Sequence, residues 1–112
     1  MEAQPKIGKT TIAPEVLETI ARLTTLAVPG VARVAAPARL WRLLHHNGVE
    51  IEVIGNSVRV RLYVVTEPHA NMLSAGRQIQ AEVTRAIQDM VGMGVRSVDV
   101  YIEDVAYPSG RA

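Results

Sequence analysis

The feature that most constrains this chain is an alternating pair of runs around one two-residue turn. Val49-Glu50-Ile51-Glu52-Val53-Ile54 and Ser57-Val58-Arg59-Val60-Arg61-Leu62-Tyr63-Val64-Val65 flank Gly55-Asn56. Period-two alternation on both sides of a Gly-containing dipeptide is the signature of a β-hairpin. The turn fixes the register: Val53 faces Val58, Ile51 faces Val60 and Val49 faces Leu62. The same register sets Glu52 opposite Arg59 and Glu50 opposite Arg61. Slipping it by one residue drives four charges into the core, so a single pairing satisfies both faces. A ribbon with one apolar side must then be covered by something else in the chain.

Two helices are available for that task. Pro14 suits a first helical position, Glu15 and Glu18 follow where the helix dipole favours acids, and Pro29-Gly30 ends the segment. Val16, Ile20, Leu23 and Ala27 recur at helical spacing, widened by Leu17 and Ala21, and predict the buried stripe; Thr19, Arg22 and Thr25 are expected to face water. A longer helix is expected from His69 or Ala70 to Val91, capped by Thr66 or Glu67 and opened by Pro68. Its apolar stripe is Met72, Gly76, Ile79, Val83, Ala86, Ile87 and Met90, and Gly92 and Gly94 are placed to end it. Val31–Val34 is a brief strand, and Ser97–Glu103 a last one with Val98, Val100 and Ile102 inward. Ile7–Ile12 is expected as a short edge strand, weakened by Gly8.

The order is (β)αβββαβ. It predicts an α+β, two-layer sandwich: a mainly antiparallel sheet of about four strands with two helices on one face. The opposite sheet face would carry Glu50, Glu52, Arg59, Arg61, Tyr63, Val65, Asp99, Tyr101 and Glu103. Residues 7–107 form one domain, with residues 1–6 and 108–112 expected as flexible tails.

Composition narrows the function. At 112 residues and 12.2 kDa one domain is the expectation. Twelve Lys+Arg against eleven Asp+Glu give a net charge of +1, too balanced for a nucleic-acid binder held by a global positive field. The absence of Cys excludes disulfides, thiolate zinc sites, iron–sulfur clusters and a Cys nucleophile. No secretory signal or bilayer-length apolar run is present, so the chain is expected to be soluble and intracellular.

No reaction is visible in the remaining motifs. His45-His46 point different ways on any regular element and leave only His69 as a further imidazole, too few for a structural zinc without Cys. Thr66-Glu67-Pro68-His69 is accounted for by a helix start. Gly92-Met93-Gly94 lacks the lysine of a phosphate-binding loop, and no Ser, His and Asp fall in a triad order. No catalytic, cofactor or metal residue is therefore expected, and the chain is read as a non-enzyme. Contact residues are more plausible. Arg39, Trp41 and Arg42 lie in a short basic amphipathic stretch that packs on the core or docks on a partner. Arg59, Arg61, Tyr63 and Tyr101 lie on the open sheet face. An alternative is an RNA-binding accessory domain using that same face, against which Glu50 and Glu52 count.

Several segments carry a family resemblance. Lys9-Thr10-Thr11-Ile12-Ala13-Pro14-Glu15-Val16-Leu17 resembles the opening of the alkaline shock / envelope stress response family of small Gram-positive-type bacterial proteins. The resemblance continues through Val28-Pro29-Gly30-Val31, Gly48-Val49-Glu50-Ile51 and the hairpin. It resumes at Asn71-Met72, Gln80 with Val83, Met90-Val91-Gly92 and Val98-Asp99-Val100-Tyr101-Ile102 before Asp104-Val105. It implies a cytoplasmic, non-enzymatic protein of cell-envelope or general stress physiology; protein–protein contacts and self-association are expected from the exposed aromatic and Arg residues of a chain without visible chemistry. It also implies membrane attachment through a partner rather than by insertion. The chain departs from the family where Thr66-Glu67-Pro68-His69 replaces an aromatic-glycine pair, and no site residue is implied by the family.

Overall fold

The computed structural model describes residues 7–35 and 48–107. The elements run α1 (Pro14–Leu26), β1 (Val31–Val34), β2 (Val49–Ile54), β3 (Ser57–Thr66), α2 (Met72–Ala86), a π-helical turn (Ile87–Val91) and β4 (Gly94–Val105). The α+β order αβββαβ is the expected one without its first strand: residues 7–13 form no strand. Gly8 in that segment costs chain entropy and offers no side chain to pack, while Ile12 packs against the core without a ladder. The expected tails and the segment with Arg39, Trp41, Arg42, His45 and His46 lie outside the described residues.

β3 is the spine. It pairs antiparallel with β2 in the expected register, Val49↔Leu62 through Val53↔Val58, and antiparallel with β1 at its far end, Val31↔Thr66 to Val34↔Val64. β1 and β2 thus lie end to end along one edge of β3. Ala35 N–H donates to Tyr63 O at 3.0 Å and Tyr63 N–H to Gly48 O at 2.8 Å, closing that edge where the two meet. Gly48, at φ +82, sits so close that an added Cβ would lie 2.6 Å from Ala35 N, which leaves room for glycine alone. At the hairpin, Gly55 takes φ 59 and Asn56 a negative φ, the II′ pattern that matches strand twist.

β4 joins the other edge of β3 in parallel, with register shifts between Val58/Arg59 and Val64/Val65. Two strand pairings are therefore antiparallel and one parallel. The alternation of a strand reports which face a side chain takes but not the direction of its neighbour, and the α2 crossover supplies the parallel return.

The core is Leu17, Ala21, Ile79, Val83 and Ile87 from the helical segments against Val49, Val58, Val60, Leu62, Val64 and Val98 from the sheet. All of these strand residues lie on one face, so both helices cover the same side. The stripes differ from expectation by a rotation. On α1 the buried residues are Leu17, Ala21 and Thr25, while Val16 and Leu23 are exposed. Thr25, expected in water, is buried because its Oγ1 donates to Ala21 O at 2.7 Å, which leaves a β-branched body free to pack. On α2 the buried line is Ala75, Ile79 and Val83, continued by Ile87, and Met72 and Met90 are exposed.

α2 also starts later than expected. Asn71 Oδ1 accepts Ser74 N–H at 2.9 Å, so Asn71 caps the helix and not Thr66 or Glu67. Thr66 ends β3, and Glu67 N–H donates to Gly30 O at 2.8 Å in the connection. Gly92, left-handed at φ 80, ends the helical segment as expected.

Candidate interaction face

The sheet face turned away from the helices gathers the hairpin charges into rows. Arg61 Nη1 lies 3.2 Å from Glu50 Oε1, and Arg59 Nη1 lies 3.5 Å from Glu52 Oε1. Both pairs follow from the cross-strand register, and both are substantially exposed, so they direct side chains more than they stabilise the fold. Arg61 is paired across the other edge with Asp99 in the β4 register. A shallow depression runs over this part of the face, lined by Glu50, Glu52, Arg59, Arg61 and Asp99. Partial burial pulls the Arg61 guanidinium down, but its hydrogen bond to Glu50 and the charge of Glu50, with Tyr101 and Tyr63 adding to it, hold it above its ordinary value.

One row further along, Tyr63 and Tyr101 stack with ring centroids 5.1 Å apart and planes 17° from parallel. The two rings are not equivalent. Tyr63 is only 7% exposed, and Val65 beside it is also buried, whereas Tyr101 is 41% exposed. Of the stacked pair, the ring offered to a second molecule is thus Tyr101. Burial first, then the charge of Glu50, hold the Tyr63 hydroxyl above the usual tyrosine value, with Arg61 pulling the other way and Tyr101 and Glu103 adding to the rise.

Of the residues singled out from sequence, Arg59, Arg61, Tyr63 and Tyr101 are brought onto this one face; Arg39, Trp41 and Arg42 lie outside the described residues. Arg59 and Arg61 are each already held by a glutamate, which blunts the cationic platform that single-stranded RNA would need, and the third arginine of this side, Arg33, is exposed opposite Val65. Glu67, Pro68 and His69 are exposed in the β3–α2 connection. Among the described residues no group of three or more His, Cys, Asp or Glu side chains is placed to hold a metal ion. No helix among them is long and apolar enough to cross a membrane.

Two surfaces escaped the sequence reading. One is the outward stripe of α1, where Val16 and Leu23 remain exposed; the signal was there in two interleaved apolar stripes, of which only one reaches the sheet. The other is the outer edge of β4, which depends on strand direction and so has no sequence signal.

A two-layer domain with both helices on one sheet face defines the class: small α+β domains. Within that class, the sequence profile of the alkaline shock protein 23 family, of cell envelope-related function, matches residues 2–107, and the chain belongs to that family. Among curated relatives, protein YqhY of Bacillus subtilis (strain 168) is 22% identical over 107 residues, covering 90% of this chain and 79% of that protein. Among solved structures, the zinc form of a MamM CTD variant is similar at a TM-score of 0.56 and 14% identity, covering 88% of this chain and 92% of that one. The MamM CTD fragment 215–293 is similar at 0.54 and 15%, covering 82% and 99%. At such identities the likeness is one of fold.

Proposed function

We propose that this chain is a non-enzymatic protein-interaction module of cell-envelope or general stress physiology. It works in the cytoplasm, self-associates, and reaches the membrane through a protein partner. The observation that carries this reading is the open stretch of the outer sheet face: both helices pack on the Val58–Val60–Leu62–Val64 face, and Arg59, Arg61 and Tyr101 opposite are exposed, with Tyr63 and Val65 buried at one end of the same side. An antiparallel ribbon tolerates water on one side, so the fold does not require that face to be roofed. Its exposed ring and arginines are residue types enriched where protein contacts are strong.

Arg39, Trp41 and Arg42 belong to the same reading. The chain leaves the described sheet at Ala35 and returns at Gly48, both bonded to Tyr63, so the segment that bears Trp41 departs and returns beside the tyrosine row. The test is affinity purification from native lysate, with soluble and membrane fractions kept separate. Trp41→Ala and Tyr101→Ala are each expected to lose partners that the wild-type chain retains, with an unchanged circular-dichroism spectrum. Unchanged partners and unchanged assembly in both variants would remove the assignment.

A further inference from the structure

Among the described residues, the outer edge of β4 is closed at both ends and open in the middle. The bonds Ala35 N–H to Tyr63 O and Tyr63 N–H to Gly48 O show that odd-numbered residues of β3 turn their backbone polar groups toward β1 and β2. Even-numbered residues therefore turn toward β4. With Arg59↔Ser97, Arg61↔Asp99 and Tyr63↔Tyr101 in register, Ser97, Asp99 and Tyr101 bond to β3, and Val98, Val100 and Ile102 turn outward.

Three other bonds agree with this parity. Gln80 Nε2 reaches across from α2 to Val98 O at 3.1 Å. Past the second register shift, Val105 N–H donates to Asp104 Oδ1 at 2.8 Å, and Tyr107 N–H donates to Val105 O at 3.1 Å. The fold thus caps the outward groups near Val98 and at Val105. Between them Val100 and Ile102 face an edge that, among the described residues, no strand occupies. An unguarded edge is a hazard that proteins blunt, and an exposed one can accept an extended peptide as an added strand.

The chemistry around the slot selects its occupant. From Ser97 to Tyr107 the chain has three acids, Asp99, Glu103 and Asp104, and no base. Val100 and Ile102 sit half-buried on the helix side, and the exposed Tyr101 ring lies on the other. We infer that the β4 edge accepts an extended segment of a protein partner as an added strand, with aliphatic residues on the helix side and Lys or Arg toward Asp99, Tyr101 and Glu103. In a second copy of this chain, bonding Val100 and Ile102 reciprocally would set Asp99 opposite Glu103 of the copy, and like charges directly opposed destabilise that ladder. Cations at those positions meet carboxylates and a ring face instead.

The slot shares Asp99 and Tyr101 with the outer face, but its own signature is the outward amides of Val100 and Ile102, so its test reads those. The full chain is titrated with a blocked seven-residue peptide of alternating lysine and valine, with a scrambled peptide and a glutamate–valine peptide as controls, and amide exchange is followed by NMR. The lysine–valine peptide is expected to slow exchange of the Val100 and Ile102 amides by about tenfold, more weakly at high salt, with both controls inactive. Ile102→Pro removes an outward N–H while sparing the β3 ladder, and is expected to abolish the protection. Asp99→Asn with Glu103→Gln is expected to weaken it severalfold in a folded protein, and carries the test if the proline variant does not fold. No protection of these amides, or equal protection by the glutamate peptide, overturns the proposal. So does self-association that Ile102→Pro abolishes, which would make the occupant a second copy.

Discussion

Two threonines show how a single hydroxyl decides a position. Thr25 is fully buried and satisfied by its own helix, whereas Thr66, equally buried, has an Oγ1 with no hydrogen-bond partner. A buried hydroxyl without a partner costs on the order of 1–3 kcal/mol, and valine has nearly the same shape. Thr66→Val is therefore expected to stabilise the fold by about 1 kcal/mol in urea unfolding; a loss of stability would mean that the hydroxyl is bonded after all. Tyr63 makes a prediction in pH. Its folded pKa is raised above 10, so the neutral phenol is the form that the fold favours. The stability it contributes is whole below the ordinary tyrosine value and is lost as pH rises through the raised one. Comparing unfolding at about pH 8 and about pH 11, Tyr63→Phe is expected to lose less stability than the wild-type chain. An equal loss would place the alkaline sensitivity elsewhere.

Among the elements, the hairpin was legible residue by residue because three independent signals, the apolar alternation, the charge pairs and the Gly55-Asn56 turn, admit one register. α1 was legible in extent but not in orientation. Its two apolar stripes differ by about one residue in phase, and the buried one passes through a threonine that polarity assigns to water. The test compares two leucines. Leu17→Ala is expected to cost about 2–5 kcal/mol, and Leu23→Ala, on the exposed stripe, about 0.5 kcal/mol or less. Reversed costs in urea unfolding would turn the helix back to the orientation that its sequence implies. β4 was legible as a strand and opaque in its pairing, because direction is set by the α2 crossover and not by any residue within it. Nor could the collinearity of β1 and β2 be read, since it is fixed by the approach of Ala35 to Gly48, residues far apart along the chain.

At the scale of the molecule the layering explains why the candidate site is a surface. The main core lies on the helix side of the sheet, while the opposite side carries the exposed Glu52, Arg59, Arg61 and Tyr101 and, at one end, the buried Tyr63 and Val65. The candidate face was legible to the extent that alternation assigns sides: Arg59, Arg61, Tyr63 and Tyr101 do share it. That Tyr63 and Val65 are buried on this face was not legible, because burial on an outer face depends on contacts that alternation does not report. The proposed function requires this face to meet other proteins while the helix layer does not. It is tested most directly by a photo-crosslinking amino acid placed in turn at Arg61 and Tyr101 on the sheet, and at Gln78 and Arg85 on α2, in living cells. Adducts from the sheet positions and none from the helix positions are predicted; adducts confined to α2 would contradict it.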